Sequence, residues 1–104
     1  MIDWQRVDEL RGEVGEEDFA EVLEMFFDEV AEVLGGLGNG DVDATRRDLH
    51  FLKGSAMNIG LSEVSSLCRN CEVSLAENPD GDVDLGAIGR AFLASKDAIE
   101  SRSA

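Results

Sequence analysis

The chain has 104 residues, with 23 Asp and Glu against nine Lys and Arg, for a formal net charge of −14. So acidic a balance excludes a nucleic-acid binder and an anionic-membrane binder, because both surfaces are gripped mainly by Lys and Arg. The length fits one domain over residues 1–104, and no apolar run approaches the ~18 residues of a transmembrane span.

The elements are helical throughout, and nothing alternates with period two for long enough to be a strand. Trp4, Val7, Leu10 and Val14 predict a short first helix ending at Gly15. From Phe19 the residues Val22, Leu23, Phe26, Val30, Val33, Leu34 and Leu37 recur at three- and four-residue steps, one stripe of a long second helix. Phe27 lies at the edge of that stripe, open to either the core or a docking face. Glu17, Glu21, Glu24, Asp28 and Glu32 form its solvated side. The glycines between Gly35 and Gly40 break the pattern and form a flexible connection. No strand precedes them and no Gly-Lys-Ser/Thr follows, so they are not a phosphate cradle.

Asp41 or Asp43 can cap a third helix with the stripe Val42, Thr45, Leu49, Leu52, Ala56 and Ile59, closed by Gly60. Ser62 can cap a fourth, with Val64, Leu67, Cys68, Cys71 and Leu75 on one face. Asn78-Pro79-Asp80-Gly81 is a turn by composition. Leu85, Ile88, Phe92 and Ile99 mark a last helix, weakened by Gly86 and Gly89. The fold class is therefore all-α, an antiparallel four-helix bundle with a short additional N-terminal helix.

The only histidine, His50, falls on the third helix. On a helical wheel at about 100° per residue it lies roughly 130° from the apolar stripe, so it points out of the bundle. Arg46, Arg47, Lys53, Gly54 and Met57 share its neighbourhood at helical spacing. Residues 44–57 hold three cations and one acid, so this stretch carries +2 and the remainder −16. A neutral imidazole is a good nucleophile, and neighbouring cations stabilise an incoming or attached phosphoryl group. Gly54, one turn below the ring, leaves room for a partner to approach the helix.

The string His50-Phe51-Leu52-Lys53-Gly54-Ser55-Ala56-Met57-Asn58-Ile59-Gly60-Leu61 resembles the signature of histidine-containing phosphotransfer domains. Leu67-Cys68 and Glu72 fit the helix that follows in that family, with Cys71 standing where its pattern has leucine. The resemblance covers about 20 residues closely and the other helices by pattern. It implies a bundle whose histidine takes a phosphoryl group from a receiver-domain aspartyl phosphate and passes it to another receiver. It also implies a carrier without kinase activity or bound nucleotide, the Mg²⁺ and acidic pocket being the receiver's. Carried over by position, His50 is the phospho-acceptor through Nε2, Lys53 neutralises phosphoryl charge, and Gly54 clears the docking space. Arg46, Arg47 and Met57 come from the wheel alone as partner-binding residues. The partners implied are response-regulator receiver domains and a hybrid histidine kinase.

Two other signals point elsewhere. Cys68-Arg69-Asn70-Cys71 matches C-x-x-C, but zinc needs two further ligands and a redox motif needs a strand-to-helix context. Both thiols lie on the apolar stripe and read as core. Asp80-Gly81-Asp82-Val83-Asp84 opens like a calcium loop, yet Leu85 and Ala91 stand where glycine and a bidentate glutamate are required. Asp84 reads instead as a helix cap. With no metal-ligand set or second catalytic group beside His50, no cofactor is expected. The start at Met1 and the end in Ser101-Arg102-Ser103-Ala104 give the expectation of a free-standing carrier, an excised fragment of a hybrid kinase being the alternative. A bundle of this size can stand alone as a monomer. Two Cys three apart and no signal-peptide blocks in Met1-Ile2-Asp3-Trp4 make the cytoplasm its expected compartment. The competing reading is an acidic helical adaptor that binds receivers or kinases without taking phosphate.

Overall fold

The computed structural model describes residues 2–103 and holds five helices: α1 (Trp4–Val14), α2 (Glu16–Gly36), α3 (Val42–Asn58), α4 (Ser62–Glu77) and α5 (Leu85–Ser103). Among the described residues there is no strand. Helices α2 to α5 form the antiparallel bundle, and α1 is the additional N-terminal helix. Each buries the stripe its apolar spacing dictates. Leu49, Leu52, Ile59, Leu61, Ile88 and Ile99 are fully enclosed, and burying each such side chain stabilises the fold by roughly 2 kcal/mol.

Side chains cap the starts of α3 and α5, whereas α2, which begins after Gly15, and α4 have no side-chain cap bond. The Asp41 carboxylate accepts from the Ala44 N–H at 2.8 Å, and Asp84 accepts from Ala87 N–H at 3.0 Å, so both act as N-caps. Gly81 N–H closes the Asn78 turn at 2.9 Å. Ser62, by contrast, is not a cap. It is the first helical residue of α4, Leu61 takes the cap position, and no side chain bonds there. Burial of Leu61 in the core pins the chain entry one residue earlier than the serine suggests.

The α3–α4 connection explains that shift. Leu61 N–H donates to Ala56 O at 2.8 Å and Gly60 N–H to Met57 O at 3.3 Å, the paired bonds of a Schellman turn. Gly60 sits at φ +82°, and a Cβ there would lie 2.7 Å from the Asp3 carbonyl oxygen. That close approach lets Asp3 N–H donate to Gly60 O at 2.8 Å, while Arg6 Nε donates to Asn58 O at 2.8 Å. The start of α1 is thus fastened over the turn that ends the histidine helix.

In α2 the core-facing residues are Phe19, Leu23, Phe27 and Val30, whereas Val22, Phe26, Val33 and Leu34, and Leu37 just past its end, are half-buried. Phe27 belongs to the core, with its ring edge-on to Phe92 of α5 at 6.0 Å. The glycine break also falls later than its first residue: Gly35 and Gly36 stay helical. Gly86 and Gly89 do not interrupt α5, where buried Ala91 and Ser95 extend the predicted stripe. At the chain ends, the Arg102 guanidinium lies 4.4 Å over the Trp4 ring and 3.2 Å from Asp8. Among the described residues no helix is long and apolar enough to cross a membrane.

Candidate functional site

The α3 stripe puts Thr45, Leu49, Leu52 and Ala56 inside, and the same geometry turns His50 out. Its side chain is 75% exposed. Arg46, Arg47, Gly54 and Met57 are exposed as well, with Met57 at 62%, while Lys53 is half-buried. A methyl group built on Gly54 meets nothing within 4 Å, so no neighbour inside the molecule requires a glycine there.

Helix α4 contributes what the wheel of α3 could not show. Across the α3–α4 hairpin, His50 and Glu72 lie eleven residues on either side of Leu61. His50 Nδ1 is 3.6 Å from Glu72 Oε2, and Lys53 Nζ is 3.2 Å from Glu72 Oε1. The first distance is too long for a hydrogen bond. It orients the ring electrostatically, with Nδ1 toward α4 and Nε2 on the opposite edge. Glu72 Oε1 is buried without a well-directed hydrogen bond, so the Lys53 ammonium is its main compensation.

The basic island is therefore not purely basic. A shallow pocket of about 460 Å³ is lined by Asp43, Arg46, Arg47, His50 and Glu72, two acids among two arginines and the imidazole. Arg46 and Arg47 make no ion pair among the described residues and stay available to an incoming anion. Phe51, next to the histidine and 40% exposed, is a further apolar group at the surface. Its signal lay in the wheel, where an aromatic residue stood far from the core stripe.

Beneath the Glu72–Lys53 pair lies Cys68. Burial pushes its thiol up to about 12, with Cys71 and Glu72 adding to the shift and Lys53 opposing it. Burial likewise raises Cys71, with a smaller push from Asp84. Both cysteines are free, buried thiols, protonated at neutral pH and so poor nucleophiles and ligands. Among the described residues no group of three or more His, Cys, Asp or Glu converges as a metal site.

An exposed imidazole, a carboxylate behind it and unpaired cations beside it can accept an electrophilic anion from a docked partner. In comparison with known families, the model of the Hpt domain matches residues 21–101. No curated protein and no solved structure matches the chain.

Proposed function

Because the chain belongs to the Hpt domain family, whose members serve phosphotransfer in two-component signalling, we propose that it carries a phosphoryl group on His50 between receiver domains. The observation that carries this reading is the placement of the ring. His50 is 75% exposed, against 27% for Lys53 and 22% for Glu72, and its Nδ1 edge faces Glu72. Nε2 is then the nitrogen open to a partner.

The proposed step is an in-line exchange. The Nε2 lone pair attacks the phosphorus of a receiver's aspartyl phosphate, the P–N bond forms, and the P–O bond to the aspartate breaks. The aspartate leaves as a carboxylate, and the imidazole, still protonated at Nδ1, becomes positively charged. Glu72 stabilises that charge from behind. Lys53, 3.2 Å from Glu72, is close enough along the helix to neutralise phosphoryl oxygens. Arg46 and Arg47 add positive potential at the rim. Mg²⁺ is expected from the receiver's own acidic pocket, and no residue of this chain is assigned to hold it. Reversal of the step onto a second receiver completes the relay, with a hybrid kinase as the expected upstream source.

The test incubates the chain with a receiver phosphorylated on aspartate and follows label transfer. Wild type is expected to acquire an acid-labile, base-stable label, and His50→Gln none. Receiver binding without label on wild type, across several receivers, would sink the carrier reading in favour of an acidic adaptor.

A further inference from the structure

A second feature lies away from the histidine. Helices α2 and α5 leave a groove of about 450 Å³ between them, with Phe19, Leu23 and Phe27 among its lining residues. Those three side chains are core residues whose edges form the groove floor. The lined stretch of α2, Phe19 to Asp28, is about 14 Å long, some two and a half helical turns. It shares no residue with the His50 pocket, which sits on the α3–α4 side of the bundle.

The rim is acidic. Glu24 and Asp28 stand on α2 and Glu100 on α5. None of the three makes an ion pair among the described residues, while Arg6, Arg11, Lys53, Arg90 and Arg102 are all engaged by acids elsewhere. The single cation in the groove is Lys96, whose ammonium lies 5.7 Å from the centre of the Phe27 ring. An ammonium over an aromatic face, ringed by unpaired carboxylates, shows that this surface holds positive charge beside apolar contact.

We propose that the α2–α5 groove is a docking site for a basic amphipathic helix of a partner protein. Its apolar stripe lies on Phe19, Leu23 and Phe27, and its flanking Lys and Arg pair with Glu24, Asp28 and Glu100. A second copy of the chain is the wrong occupant, because two molecules of net charge −14 repel. An anionic lipid surface is excluded by the same rim.

The test titrates the ¹⁵N-labelled full chain with a helical peptide of about 14 residues, leucines on one face and lysines on the other. Amide shifts are expected to concentrate on residues 19–28 and 96–100, leaving residues 46–57 unmoved. Binding should weaken roughly tenfold between about 0.05 and 0.3 M salt. Ala20→Gln fills the groove from an exposed helical position and should weaken binding roughly tenfold without altering net charge. The paired change Glu24→Lys and Asp28→Lys should abolish it, with circular dichroism reporting an intact fold for both variants. Equal, diffuse shifts from a lysine–glutamine peptide of the same charge would overturn the proposal. So would indifference to Ala20→Gln, or self-association through the groove in the absence of peptide.

Discussion

Gly54 lies one turn below His50 in the interior of α3, where glycine destabilises a helix by about 1 kcal/mol relative to alanine. No packing contact inside the chain accounts for it, because a methyl built there meets open space. On the proposed transfer the open space belongs to the receiver. Gly54→Gln should therefore leave the fold intact, raise its stability by about 0.5 kcal/mol, and slow transfer from a phosphorylated receiver at least ~tenfold. Denaturant midpoints and single-turnover labelling check the two halves, and unchanged transfer would refute the clearance role. His50 and its outward direction were legible from one helix's spacing. Glu72 as its neighbour was not, because a wheel describes one helix, and the pairing depends on where α3 folds back onto α4. A reading of the turn at residues 60–62 as the hairpin's pivot, centred on Leu61, would have put the two at one level.

At the level of elements, that pivot is where sequence and tertiary structure meet most tightly. Gly60 combines a left-handed backbone with a Cβ position 2.7 Å from the Asp3 carbonyl. Gly60→Ala should cost about 2 kcal/mol, since the positive φ strains alanine and the Asp3 contact must also give way. Gly35→Ala, on an open stretch inside α2, should instead stabilise by about 0.5–1 kcal/mol. Urea denaturation of both variants against wild type checks the opposite signs. All five helices were readable because three- and four-residue spacing persists along each. What escaped was set by neighbours. Ser62 carries a good cap side chain, yet burial of Leu61 moved the cap off it. Phe27 rather than Phe26 entered the core because its ring meets Phe92 of α5, a contact between residues 65 positions apart. Gly35 and Gly36 remained helical because a glycine penalty of about 1 kcal/mol each does not stop a long helix that packing holds in place.

For the molecule as a whole, alkaline pH is a sharp probe, because the chain has no tyrosine and its two buried thiols ionise ahead of the lysines and arginines only once unfolded. Cys68 stands near 12 in the folded chain and Cys71 is raised too, against an ordinary thiol value of about 8.5. The folded state thus holds these protons more tightly than the unfolded one. Their contribution is fully present below about pH 8.5 and is lost as pH climbs toward 12. Urea midpoints should fall between about pH 8 and 10.5, and the double variant Cys68→Ala, Cys71→Ala should flatten that slope even though its starting stability is lower. An unaltered slope would mean that other groups govern the decline. The contact of Arg102 with Trp4 has a separate consequence for how this molecule is observed. The chain's one indole lies where the first helix meets the end of the last. Its emission is an optical gauge of whether the two termini are closed, and it carries no direct readout of His50. Fluorescence followed beside circular dichroism therefore separates fraying at the ends from melting of the α3–α4 hairpin, using a chromophore already built into the protein.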